Sequence, residues 1–83
     1  MENLRRVKRI LRDALQLRDR AEGLTESSPL LGSIPELDSM AVVTVLTLIE
    51  EEFGISVGDD EVSADTFATV GSLVQFVSEK TGA

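Results

Sequence analysis

The chain has 83 residues, enough for one small hydrophobic core and too few for two. Its hydrophobic share is 42%, but only 4% is aromatic, so the interior must be built from Leu, Val, Ile and Ala, which favours helical packing. The absence of Cys removes disulfides and thiolate chemistry, the absence of His removes the commonest general base and metal ligand, and a net charge of −7 argues against wholesale binding to nucleic acid.

From Leu4 to about Leu17, the apolar residues Leu4, Val7, Ile10, Leu11, Ala14, Leu15 and Leu17 recur at steps of three and four, with Arg and Lys between them. This pattern predicts an amphipathic helix, with Gly23 as a stop. Residues 1–20 hold seven of the eight basic side chains against three acids, a local charge of +4 that leaves −11 for the remainder. Ala21 to Leu37 carries both prolines, Gly32 and a Thr25, Ser27, Ser28 cluster, so it reads as a long loop without regular structure, pinned by Leu24, Leu30, Leu31 and Ile34. A second helix is predicted from the N-cap Asp38 to Gly54, greasy on more than one face and charged only at its end by Glu50, Glu51 and Glu52. Its β-branched residues make a buried strand over Ala41–Leu48 the competing assignment, and the cap and the fifteen-residue length favour the helix. After a turn at Ile55–Gly58, the acids Asp59, Asp60 and Glu61 suit the start of a short helix reaching about Ala64. Thr69 then caps a last helix with Val70, Leu73, Val74 and Val77 on one face and Lys80 near its end.

The catalytic inventory is short. Without His, a serine nucleophile would need a lysine base, and Lys8 and Lys80 lie at opposite ends of the chain, so no enzyme is expected. The Asp59, Asp60, Glu61 run lacks the alternating spacing of a calcium loop, and no metal site is expected. No apolar run approaches the ~20 residues of a membrane span, and no signal-peptide pattern opens the chain, so the expected location is the cytoplasm.

Ser39 is placed unlike the other hydroxyls. It follows the presumed cap, so its side chain falls in the first turn of a helix whose free N–H groups and positive dipole end would stabilise an attached anion. Pro35 would stiffen the approach, and Leu37 and Met40 would offer an apolar surround to a flexible attached chain. Asp38 and Ser39 equally suit an ordinary helix start, and the residues alone leave both readings open.

The run Asp38-Ser39-Met40, with an apolar helix closing on Glu50-Glu51-Glu52-Phe53-Gly54-Ile55, resembles the signature of acyl carrier proteins, in which Asp-Ser-Leu or Asp-Ser-Met begins the second of four helices. Nearly the whole chain follows that family's order of elements. The resemblance implies an all-α, acyl-carrier-like four-helix bundle, three helices longer and one short, with a long loop between the first two and residues 1–83 forming one carrier domain. It implies 4′-phosphopantetheine on Ser39, placed there from coenzyme A by a phosphopantetheinyl transferase and carrying an acyl group as a thioester. Asp38 would orient Ser39 for that transferase, Met40 would dock against partner enzymes, and Glu50 and Glu51 would meet their Arg and Lys. Val43, Leu46, Ile49 and Val57 would shelter the acyl chain.

Ala41 and Thr44 stand where members serving fatty-acid synthesis usually carry further acids, and the first helix is unusually basic. The segments Pro29-Leu30-Leu31-Gly32 and Ile34-Pro35-Glu36-Leu37-Asp38-Ser39-Met40 are similar to freestanding carriers that work beside an AMP-forming acyl ligase, including those of bacterial exosortase-linked clusters. The expected partners are therefore the transferase, an AMP-forming loading ligase and acyl-acceptor enzymes, met by a monomer without nucleic-acid binding or membrane insertion. Two other readings compete: a carrier of aminoacyl or peptidyl groups, and an unmodified interaction domain that lays the basic cluster Arg5-Arg6-Val7-Lys8-Arg9 on a membrane or nucleic acid.

Overall fold

The computed structural model describes residues 2–32, 34 and 37–82, and its long elements are α1 (Glu2–Leu15), α2 (Ser39–Phe53) and α3 (Val70–Thr81). Ser33, Pro35 and Glu36 lie outside the described residues, and with them the proposed stiffening by Pro35. The all-α reading stands, and the predicted bounds of α2 and α3 hold. At α2 the Asp38 carboxylate accepts the Ala41 N–H at 2.8 Å, and Gly54 closes the helix at φ 66°, a left-handed turn that glycine makes without a Cβ penalty. At α3 the caps are reciprocal: Thr69 Oγ1 accepts the Ser72 N–H and Ser72 Oγ accepts the Thr69 N–H, both at 3.0 Å.

Two elements differ from expectation. α1 stops at Leu15, two residues early, because Gln16 turns to φ 54° and Arg18 to φ 55°. Between these left-handed residues Leu17 swings back into the core, its N–H reaching the Arg12 carbonyl at 3.0 Å. A 3-10 helix (Arg18–Gly23) follows, so the start of the predicted loop is regular and buries Ala21. The short third helix is made of two 3-10 turns, Asp59–Glu61 and Ala64–Phe67, the second burying Phe67.

The rest of the long loop is held by backbone pairing to residues about forty positions downstream. Leu30 N–H donates to the Ala68 carbonyl and Leu31 N–H to that of Phe67, both at 3.0 Å, while Val70 and Gly71 N–H donate to Ser28 and Glu26. Gly71 is required here. A Cβ at that position would lie 2.8 Å from the Glu26 carbonyl oxygen, closer than two such atoms can pack. Leu30 is fully buried and Leu24 and Ile34 pack against the core, as pins should, but the side chain of neighbouring Leu31 is 45% exposed and lies outside the core, so that residue holds the loop by its backbone alone. Leu37, expected to face an attached chain, is instead a core residue.

The core gathers Val7, Ile10, Leu11 and Leu15 of α1, Val45 and Ile49 of α2, and Val70, Leu73 and Val77 of α3 around Leu30 and Phe67. Each such side chain contributes on the order of 1.5–3 kcal/mol by leaving water. Polar tethers set the helix directions. Asn3 donates to Ser78 Oγ at 2.9 Å, and Arg6 Nε meets Glu52 Oε2 at 3.0 Å, so the start of α1 lies beside the ends of both other long helices.

One further tether makes a pH prediction. Glu61 accepts from Lys80 and from the Gly58 N–H at 2.7 Å, and the Lys80 hydrogen bond, followed by that of Gly58, holds its carboxyl below the usual glutamate range. A carboxyl lowered on folding contributes stability above its unfolded pKa and loses it as pH falls through the folded value. An NMR titration should place the Glu61 midpoint below the usual glutamate range. Lys80→Met should move it up, and an unchanged midpoint would show that the tether does not form in solution.

Candidate functional site

Asp38, Ser39 and Met40 come together as one exposed patch at the start of α2. The first intrahelical bond runs from Val42 N–H to the Asp38 carbonyl at 2.9 Å, and the Asp38 side chain takes Ala41 N–H, so the N–H groups of Ser39 and Met40 have no partner within the helix. They share the positive end of fifteen aligned peptide dipoles. The Ser39 side chain makes no hydrogen bond among the described residues, and Met40 stands 74% exposed.

The outer face of α2 continues from Met40 through Val43, Thr44 and Thr47 to Glu51. Val43 is 57% exposed, and exposed Thr44 and Thr47 turn their hydroxyls back to the carbonyls of Met40 and Val43 at 3.1 and 2.9 Å, so those hydroxyls are spent on the helix's own backbone. The surface is an apolar stripe ending in one carboxylate. Val45, by contrast, points away from this face and is fully buried. Of the residues suggested for an acyl shelter, Val43 is exposed, Ile49 is core, and Leu46 and Val57 are half-buried.

The three consecutive acids have separate fates. Glu50 Oε2 accepts the Val57 N–H at 2.7 Å and holds down the turn after α2. Glu52 Oε2 bridges Arg6 Nε and Arg9 Nη2 at 3.0 and 2.9 Å, while the Glu52 carbonyl accepts Arg6 Nη2 at 2.8 Å and the Arg6 guanidinium lies 4.1 Å from the centre of the Phe53 ring. Glu51 alone is exposed with no hydrogen bond or ion pair among the described residues. No sequence signal separates the three, because their partners come from other elements.

Comparison with known proteins places this geometry. Residues 5–77 match the family model described as the phosphopantetheine attachment site. Two relatives, the acyl carrier protein of Sinorhizobium fredii and the acyl carrier protein AcpP of Rhizobium meliloti, are each 35% identical over 74 residues, covering 89% of this chain and 88% of theirs. The solution NMR structure of the holo acyl carrier protein NE2163 from Nitrosomonas europaea is 57% identical, superposes with a TM-score of 0.92, and matches over 100% of both chains.

The chain belongs to the acyl carrier proteins. It is a carrier and not an enzyme, its prosthetic group is covalently attached 4′-phosphopantetheine, and that role implies a phosphopantetheinyl transferase and acyl-handling enzymes as partners. The reading as an unmodified interaction domain gives way to this one. No helix among the described residues is long and apolar enough to cross a membrane.

Proposed function

We propose that Ser39 carries the phosphopantetheine arm, and that residues 1–83 act as one monomeric, cytoplasmic carrier domain loaded by an AMP-forming acyl ligase. The observation that supports the attachment point is the Ser39 hydroxyl itself, exposed, without a hydrogen bond among the described residues and seated in the first turn of a capped helix. When bound, the arm supplies the terminal thiol on which an acyl group is held as a thioester. The protein supplies the rest. Asp38, tied to Ala41 N–H, fixes the backbone on which Ser39 is presented, and the Ser39 and Met40 N–H groups, without a partner in the helix, favour a phosphodiester anion together with the helix dipole by about 0.3–1 kcal/mol. The ligase assignment rests on the similarity of residues 29–40 to freestanding carriers of that kind. Intact mass after incubation with coenzyme A and a broad-specificity pantetheinyl transferase, with Ser39→Ala beside the parent, tests the attachment point.

Partner reading is assigned to Met40, Val43 and Glu51. Glu50 is left out because its carboxylate already serves the turn at Val57, and Glu52 because it is held by α1. Apolar anchors slow dissociation, whereas an exposed charge mainly speeds encounter and is screened by salt. Met40→Ala should therefore lower the kcat/KM of the transferase by about three- to tenfold at every salt concentration, and Glu51→Lys should lower it chiefly at low salt. Equal rates for both variants and the parent would remove this face from recognition.

A further inference from the structure

Internal pairing leaves much of the positive charge of α1 unexplained. Arg6 and Arg9 are occupied by Glu52, and Arg12 Nε pairs with adjacent Asp13 Oδ1 at 3.2 Å. Arg5 and Lys8 have neither hydrogen bond nor ion pair among the described residues, and no core contact requires their charge. Arg5, Lys8, Arg9 and Arg12 nevertheless fall at steps of three, one and three, on one side of α1, along about 10 Å of helix. Together with Ala21 and Glu22 of the following 3-10 helix they line an open groove of about 300 Å³. Glu22 is its one acidic lining residue among the described residues.

We propose that this basic groove on α1 is a second docking strip, for a carboxylate-bearing helix of a partner protein. The proposal deepens the carrier reading, since the partner would be one of the enzymes that handle the carried group. Two observations favour a protein over other anions. The residues after position 20 sum to −11, so an extended polyanion such as duplex DNA or a lipid surface meets net repulsion beyond the groove. A short acidic helix seated in the groove stays within about one Debye length, ~8 Å at physiological salt, of the +4 segment. The second observation is continuity: Arg9 also borders a groove shared with Leu48 and Glu51 of α2, so a partner lying on the outer face of α2 can reach α1 without a gap. Such a partner must present apolar groups and a cation to α2 and, beside them, acids to α1.

The test uses the ¹⁵N-labelled holo protein titrated with a helical 20-residue peptide carrying Glu on one face, and with the same peptide carrying Gln. The Glu peptide should shift the amides of residues 5–12 and 21–22 at 50 mM salt, and the Gln peptide should not. The double variant Arg5→Glu, Lys8→Glu, which breaks no hydrogen bond or ion pair among the described residues, should weaken binding about tenfold, while Ser39→Ala should bind like the parent. That last arm separates the two readings, since loss of modification at Ser39 leaves the groove intact and failure of the groove leaves modification intact. Equal shifts with the Gln peptide, an unchanged affinity for the double variant, or tighter binding of duplex DNA or anionic vesicles than of the Glu peptide at 0.15 M salt would overturn the proposal.

Discussion

Ser39→Ala should abolish the gain of one phosphopantetheine on incubation with coenzyme A and transferase, while leaving the far-ultraviolet circular dichroism and the melting temperature nearly unchanged. The two halves of this result have different causes. Loss of modification follows because no other hydroxyl among the described residues stands exposed at the start of a capped α-helix of this length: the Thr69 and Ser72 hydroxyls are tied into the α3 cap, and those of Thr44 and Thr47 into the α2 backbone. Retention of the fold follows because Asp38, not Ser39, caps α2, and replacing an exposed residue away from packing typically changes stability by about 0.5 kcal/mol or less. A variant that still gained the mass would move the attachment point elsewhere, and one that unfolded would mean that Ser39 holds the helix start together.

The second large effect should come from two adjacent leucines. Leu30→Ala removes a fully buried side chain from the centre of the core and should cost about 2–5 kcal/mol. For a domain of this size that lowers the melting temperature by about 10 °C or more. Leu31→Ala, on a side chain 45% exposed, should cost about 0.5 kcal/mol or less. Thermal melts of the two variants decide the matter. Equal losses would mean that the loop is not docked on residues 67–71 in the register described.

This pair also marks where sequence reading stops. The boundaries of α2 and α3 were legible because each is written in a local code, Asp38 and Gly54 for one and Thr69 with Lys80 for the other. The exposed position of Ser39 follows from the same code. Which of two neighbouring leucines enters the core depends on a backbone pairing across about forty residues, and nothing in Leu30 or Leu31 announces it. The same holds inside α2, where Val43 and Val45 are chemically identical and face opposite ways because α1 packs against only one side of that helix. The early end of α1 was hidden because Gln16 adopts a glycine-like φ without being glycine. The split among Glu50, Glu51 and Glu52 was hidden because two of the three answer to residues outside the helix.

The docked loop has a mechanical consequence. A connection of this length would ordinarily act as a slack tether, letting the start of the next helix drift with respect to the rest of the molecule. Here Leu30 and Leu37 are both sunk in the core, and the ladder from Glu26 to Leu31 fastens the strand between them and α1 to the head of α3. The start of α2 is therefore tied to the core on its loop side. With the arm on Ser39, as proposed, the carried group swings from a point anchored by Leu37, and its reach is set by its own length. Partner enzymes can accordingly locate the carried group by locating the helices, as one locates the tip of a crane from its base.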